Sequence, residues 1–351
     1  MPQKIPTTVI TGFLGAGKTT LIRNLLAKNG GKRIALIINE FGDIGIDAEV
    51  LRGCGDAMCA EDDIIELSNG CICCTVADEF VPTMKQLLDR AAPPDHIVIE
   101  TSGLALPQPL VRAFNWPEIR TRVTVDSVIT VVDGPATAEG RFAHDEAAIT
   151  AQRAADDSIG HETPLSELFE DQLACADMVV IAKTDQMEPA AVDGVLGRLS
   201  GQTRAGVRLI RSNADGLSAE VLLGLGLAAE DDMDSRREVH HHHGEDDADT
   251  DQEHEHGHDE FETFAVTLGE ITDAAAFSEK LAGAIRDHDI LRLKGFAAVA
   301  GKRMRLVVQA VGPRIETYFD RPFGPGSRET HLVVIGEAGL DRAAIAAALA
   351  P

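Results

Sequence analysis

Thr8-Val9-Ile10-Thr11-Gly12-Phe13-Leu14-Gly15-Ala16-Gly17-Lys18-Thr19-Thr20-Leu21-Ile22-Arg23-Asn24-Leu25-Leu26-Ala27, near the N-terminus, carries the strongest indication of the fold. Its first four residues read as a short apolar strand. Gly12 to Thr19 satisfies GxxxxGK[ST], and Thr20 to Ala27 has the length and pattern of a helix. Strand, glycine-rich loop and helix in that order form a phosphate loop. Its backbone N–H groups and helix N-terminus hold phosphates, the lysine reaches the outer ones, and the hydroxyl after it sits on Mg2+. Gly12, Gly15 and Gly17 supply the backbone freedom, Ala16 and Thr20 complete the expected contacts, and Lys18 and Thr19 carry the chemistry.

Outward from the loop, strand-like apolar runs alternate with helical patterns to about residue 226. Ile34 to Asn39, His96 to Glu100, Val125 to Asp133 and Met178 to Ala182 read as strands. Val76 to Arg90, Pro164 to Leu173 and Pro189 to Leu199 read as helices, several with proline near the first turn. The alternation predicts an α/β fold with a doubly wound, mainly parallel sheet over residues 1–228. The pattern breaks near residue 229. From Glu230 to Glu260 there are fourteen Asp or Glu, two Arg and seven His. So polar a segment buries too little surface to offset its chain entropy, and a disordered linker is expected over 229–260. Residues 261–351 read as strand, helix (274–287), strands (291–300, 303–310 and 331–335) and a last helix (341–349), a smaller α+β domain.

Composition narrows the function. At 351 residues with 44% apolar and only 4% aromatic side chains, the cores must be built from Val, Ile, Leu and Ala. A formal charge of -25 argues against nucleic acid or an anionic membrane as a standing partner, since both reward Lys and Arg. The start Met1-Pro2-Gln3-Lys4 runs straight into the first strand without a leader pattern, and a cytoplasmic location is expected. Six cysteines, three of them between positions 71 and 74, do not resemble an extracellular disulfide framework.

Several further residues carry chemistry. The strand His96 to Glu100 ends in Glu100-Thr101-Ser102-Gly103. An acid there can hold Mg2+ through water or orient the attacking water, and Gly103 joins the expected nucleotide contacts. Ile181-Ala182-Lys183-Thr184-Asp185 follows a strand as the guanine-reading NKxD element does. The Lys183 stem would cover the base, and Asp185 would accept from the guanine N1 and N2 protons. Ala182 stands where that element carries Asn, and the loss of its amide removes hydrogen bonds of about 0.5–1.5 kcal/mol each. In Gly70-Cys71-Ile72-Cys73-Cys74, alternation along extended chain puts Cys71 and Cys73 on one side. Cys74 joins them only if the backbone turns, so the spacing leaves two or three thiolates open. Thiolates suit Zn2+ or Co2+ and disfavour Mg2+ or Ca2+. Cys54 and Cys59 are weaker candidates. Glu40 and Asp43, in Asn39 to Asp47, lie where a first switch would follow the second strand and could complete the metal shell. The histidines from His240 to His258, interleaved with acids, suit weak and exchangeable binding of borderline divalent ions.

Taken together, GFLGAGKTT, NEFGDIGID, GCICC, ETSGLALPQP and the separate C-terminal domain resemble the CobW family of metal-handling GTPases, with Ile10 to Ile46 and Glu61 to Pro117 closest to its cobalamin-biosynthesis branch. The resemblance implies a GTPase domain, a metal motif at Cys71, Cys73 and Cys74, and Glu100 in the Walker B position. On it rests the expectation of a GTP-dependent metallochaperone that hands Co2+ to a cobaltochelatase when GTP is hydrolysed, slowly without its partner. A zinc chaperone with the same machinery, and a non-catalytic metal store or sensor, are the alternatives. Whether the chain forms a homo-oligomer is left open.

Overall fold

Seven strands run parallel in one sheet, in the order β3-β2-β4-β1-β5-β6-β7. They are β1 (Ile5–Thr11), β2 (Ile34–Ile38), β3 (Ile64–Glu66), β4 (His96–Glu100), β5 (Val123–Asp133), β6 (Met178–Ala182) and β7 (Arg208–Arg211). The structure, a computed structural model, describes residues 4–38, 64–66, 80–145, 147–150, 164–214, 216–236, 261–311, 314–323, 328–337 and 339–350. Every residue of β2 and β4 is buried, as is all of β5 except Thr124. A strand covered on both faces needs a continuous Val/Ile run rather than alternation, which is what these sequences supply. On one face Val9, Ile97 and Ile99 pack with Met84 and Leu110 of the helices Val81–Leu88 and Pro107–Ala113 and with Phe80 and Phe114, which flank those helices. Their strand neighbours Ile10, Val98 and Ile129 point the other way and are also buried.

Strand order reverses about β1, which has β4 on one side and β5 on the other. Crossovers that leave in opposite directions open a crevice at the carboxyl ends of the strands. Register fixes its walls: Ile10 lies opposite Glu100, Thr11 opposite Thr130, and Asp133 opposite Ala182.

The chain divides into two units, Met1–Gln252 and Glu253–Pro351. The second holds an antiparallel sheet in the order β11-β10-β9-β12-β8, from β8 (Phe261–Leu268), β9 (Ile290–Ala297), β10 (Met304–Val311), β11 (Arg314–Pro322) and β12 (Thr330–Glu337). The helices Ala274–Asp287 and Arg342–Leu349 cover one face, with Phe277, Leu281, Ile345 and Leu349 against Leu293, Val308, Leu332 and Val334. Asp273 and Asp341 cap these helices through their side chains. Among the described residues no helix is long and apolar enough to cross a membrane.

Three strands go beyond the sequence reading: β3, β7 and β11. All lie at sheet edges among the described residues, where charged residues are tolerated, so their sequences lack the apolar run of a central strand. The linker expected from 229 is corrected at its start. Residues 229–236 form two short 3-10 turns within the first unit, and Ala229, Glu230 and Arg236 are buried. Glu230 accepts hydrogen bonds from the Thr124 hydroxyl (2.6 Å) and the Val125 N–H (2.8 Å). Arg236 donates to Asp177 Oδ1 and to the Cys175 carbonyl, both at 2.6 Å. The charges that suggested a solvated segment are here its anchors. Residues 237–260 lie outside the described residues.

Candidate functional site

The loop from Gly12 to Gly17 joins the end of β1 to the helix Lys18–Ala27. Gly12 is buried at φ +132, and a Cβ there would lie 2.1 Å from the Val131 carbonyl oxygen. Phe13 anchors the loop from below, its ring 5.9 Å from Phe142 and 6.0 Å from Phe169. Ala16 is buried, while Gly15 is exposed. The helix begins after Gly17, in a left-handed conformation, with no side-chain cap. First-turn N–H groups arranged this way form an anion site, strengthened by the helix dipole. Lys18 is buried, and its Nζ donates to the Gly12 (2.8 Å) and Phe13 (3.3 Å) carbonyls.

Glu100 ends β4 beside this loop, 4% exposed, and its Oε1 accepts from the Thr19 hydroxyl at 3.4 Å. Hydroxyl and carboxylate oxygens are the hard donors that Mg2+ selects. The chain then doubles under the phosphate loop at Gly103, where an added Cβ would come within 2.7 Å of the Leu14 nitrogen. Gln172, fully buried on the helix Leu165–Cys175, fixes this turn by donating from Nε2 to the Gly103 (3.1 Å) and Ala105 (3.2 Å) carbonyls.

On the far side, Lys183 follows β6 and donates to the Gly15 carbonyl at 2.7 Å and to Asp133 Oδ2 at 2.6 Å. Asp185 is exposed in the 3-10 turn Thr184–Gln186, and Thr20 is exposed on the first helix. Ala182 stands beside the loop, 3.4 Å from where a Cβ on Gly17 would be. The structure therefore gathers Gly12, Gly15, Ala16, Gly17, Lys18 and Thr19 with Glu100, Gly103 and Lys183 around one crevice. Phe13, Gln172 and Asp133 were not singled out from sequence. Asp133 had a signal, because it ends an apolar strand as Glu100 does; Gln172 had none.

The CobW/HypB/UreG nucleotide-binding domain matches residues 6–211. The chain belongs to the CobW/HypB/UreG family. Its residues 261–351 match the C-terminal domain of the cobalamin synthesis protein CobW. This family member is 57% identical over 347 residues to the zinc chaperone CobW of Sinorhizobium sp, covering 99% of this chain and 96% of that one. It is 51% identical over 348 residues to the zinc chaperone CobW of Pseudomonas aeruginosa (98% and 90% covered), and 29% identical over 345 residues to the zinc chaperone YjiA of Escherichia coli (95% and 94% covered). The CobW-family chain is a P-loop GTPase of a metal-chaperone family. Cys71, Cys73, Cys74 and Glu40, with Cys54, Cys59, Asp43 and the tract from His240 to His258, lie outside the described residues. Among the described residues, no group of three or more His, Cys, Asp or Glu is placed to hold a metal ion. Cys175, the remaining cysteine, is fully buried, and burial pushes its thiol up to about 12, which suits packing rather than ligation.

Proposed function

We propose that this chain is a GTP-driven carrier that loads zinc on the thiolates of Cys71, Cys73 and Cys74 and releases it to a metal-receiving protein in the cytoplasm. The observation that carries the reading is full-length similarity to two zinc chaperones in a chain that has the GCICC cluster. The affinity order of thiolate sites points the same way, because Zn2+ binds more tightly than Co2+. In this reading the backbone N–H groups of the phosphate loop, from Gly12 through Ala16 and Gly17 to Thr20, hold the phosphates. Lys18 leaves the Gly12 and Phe13 carbonyls for the outer phosphate oxygens. Thr19 would hold Mg2+, which would supply neutralising charge at the phosphates, and Glu100, beside the Thr19 hydroxyl, would either hold that ion through water or orient the attacking water. Gly103, packed against the loop at Leu14, would join the phosphate contacts. The Lys183 stem covers the base, and Asp185 swings in to accept from guanine.

Lys18→Ala is expected to abolish hydrolysis, measured as phosphate release; retained hydrolysis would mean that the phosphate loop is misread. In this reading Glu40 joins the cysteines in the metal shell of the GTP-bound state. A metal held differently in the two nucleotide states must strengthen GTP binding by the same factor. Turnover is slow until a partner supplies a missing group.

A second reading keeps the machinery and changes the cargo, with Co2+ handed to a cobaltochelatase. The match of 261–351 to a cobalamin synthesis domain favours it. Titration of the reduced protein with Co2+ in Mg-GTP and in Mg-GDP, read by thiolate-to-cobalt absorption and followed by Zn2+ competition, tests both. A tight site seen only with GTP and lost in Cys73→Ala is expected, with Zn2+ displacing Co2+. Equal binding in the two nucleotide states would overturn the carrier cycle, and Co2+ retained against excess Zn2+ would favour the cobalt reading.

A further inference from the structure

We propose that Asp133 is a positioning residue for the nucleotide base, acting through Lys183, and that this pair supplies the bracing Ala182 cannot give. The inference rests on the guanine reading of Lys183 and Asp185 above.

Asp133 is the last residue of β5 and is 1% exposed. Register sets it opposite Ala182, so its side chain arises next to the residue that precedes Lys183. Its two oxygens have separate tasks. Oδ1 accepts from the Ala136 N–H at 3.0 Å and caps the following helical turn, while Oδ2 accepts from Lys183 Nζ at 2.6 Å. The same ammonium donates to the Gly15 carbonyl at 2.7 Å. Lys183 is thus held between a strand end and the phosphate loop, and its backbone has φ +62, a region non-glycine residues seldom occupy.

A buried carboxylate persists where it is paired and hydrogen-bonded, and both conditions are met here. The neighbouring position explains the need. Ala182 faces Gly17 with a methyl group, 3.4 Å from where a Cβ on that glycine would be, and a methyl offers no hydrogen bond to the loop. Lys183 supplies the link instead. With Nζ fixed at two points, the four-carbon stem is ordered before the base arrives. A base that stacks on an ordered stem forfeits less entropy on binding. Asp133 touches neither base nor phosphate; its effect passes through Lys183.

A double-mutant cycle on the full-length protein tests this. GTP, GDP and ATP affinities are measured by titration for wild type, Asp133→Asn, Lys183→Ala and the double variant, with a urea midpoint for each. Asn keeps the size and the Oδ1 cap but removes the charge that holds Nζ. Asp133→Asn is expected to weaken GTP and GDP about tenfold, the scale of a lost charge-assisted hydrogen bond, and to narrow the GTP-over-ATP ratio. In the Lys183→Ala background the same change is expected to move affinity by less than about twofold. Asp133→Ser, which preserves a capping hydroxyl, repeats the test if the Asn variant does not fold. Wild-type affinity in the folded variant, or losses that add independently of Lys183, would overturn the proposal and leave Asp133 a helix cap. Wild-type protein that binds GTP and ATP equally would overturn the guanine reading, and the proposal with it.

Discussion

At Gly12 the phosphate loop leaves no room for a side chain, since a Cβ would sit 2.1 Å from the Val131 carbonyl oxygen while φ is +132. A forced backbone conformation costs about 1–3 kcal/mol and the overlap adds to it, so Gly12→Ala is expected to lower GDP affinity by about tenfold or more. Fluorescent-nucleotide titration checks this, and unchanged affinity would mean that the loop tolerates displacement from β5. The motif alone marked Gly12, Lys18 and Thr19, because phosphate binding needs those residue types at fixed spacing. The placement of Glu100 beside Thr19 was legible too, as an acid ending an apolar strand next to the loop. Asp133 ends an apolar strand too, yet its meaning depends on Lys183, fifty positions later in the chain and adjacent only through the pairing of β5 with β6. Gln172 is a polar residue inside an amphipathic helix, and nothing along the sequence distinguishes it from a solvated one. Its full burial and its two carbonyl partners are properties of packing.

Among the elements, the central strands were the most legible. β4 and β6 fall where the sequence placed them, because strands buried on both faces leave an unbroken apolar signature. Edge strands β3, β7 and β11 leave none, and β11 reads Arg-Ile-Glu-Thr-Tyr-Phe-Asp-Arg-Pro. The segment Ala229 to Arg236 is the sharpest departure. Burial alone would favour a neutral guanidine at Arg236, but the Asp177 carboxylate outweighs it and holds the group above its ordinary value. Arg236→Ala would leave Asp177 with Arg204, whose guanidinium is 3.4 Å away, and a loss of about 3 kcal/mol is expected. Glu230→Ala would strand the buried Val125 N–H at a cost of about 1–3 kcal/mol. Urea unfolding followed by circular dichroism measures both, and unchanged midpoints for the two variants would remove residues 229–236 from the folded unit.

For the whole molecule, the formal charge of -25 is concentrated in part between Glu230 and Glu260, and the tract of histidines lies in the same stretch. Because Arg236 is buried in the first unit, a deletion that removes this tract must begin after it. Deletion of residues 237–258 is expected to abolish weak metal binding that is indifferent to nucleotide and to leave one tight, GTP-dependent site. Equilibrium dialysis with zinc in GTP and GDP checks this, and loss of most tightly bound metal would favour a metal store over a carrier. The parallel sheet, the phosphate loop and the presence of a second α+β unit could all be read along the chain, since each rests on local periodicity or on residues close together in sequence. That residues 229–236 fold with the first unit, that Gln172 holds the Gly103 turn and that Asp133 holds Lys183 became visible once the chain was folded. In each case a polar group is buried by meeting a partner far away in sequence, and the free energy of burying a polar group depends on that partner rather than on its neighbours along the chain.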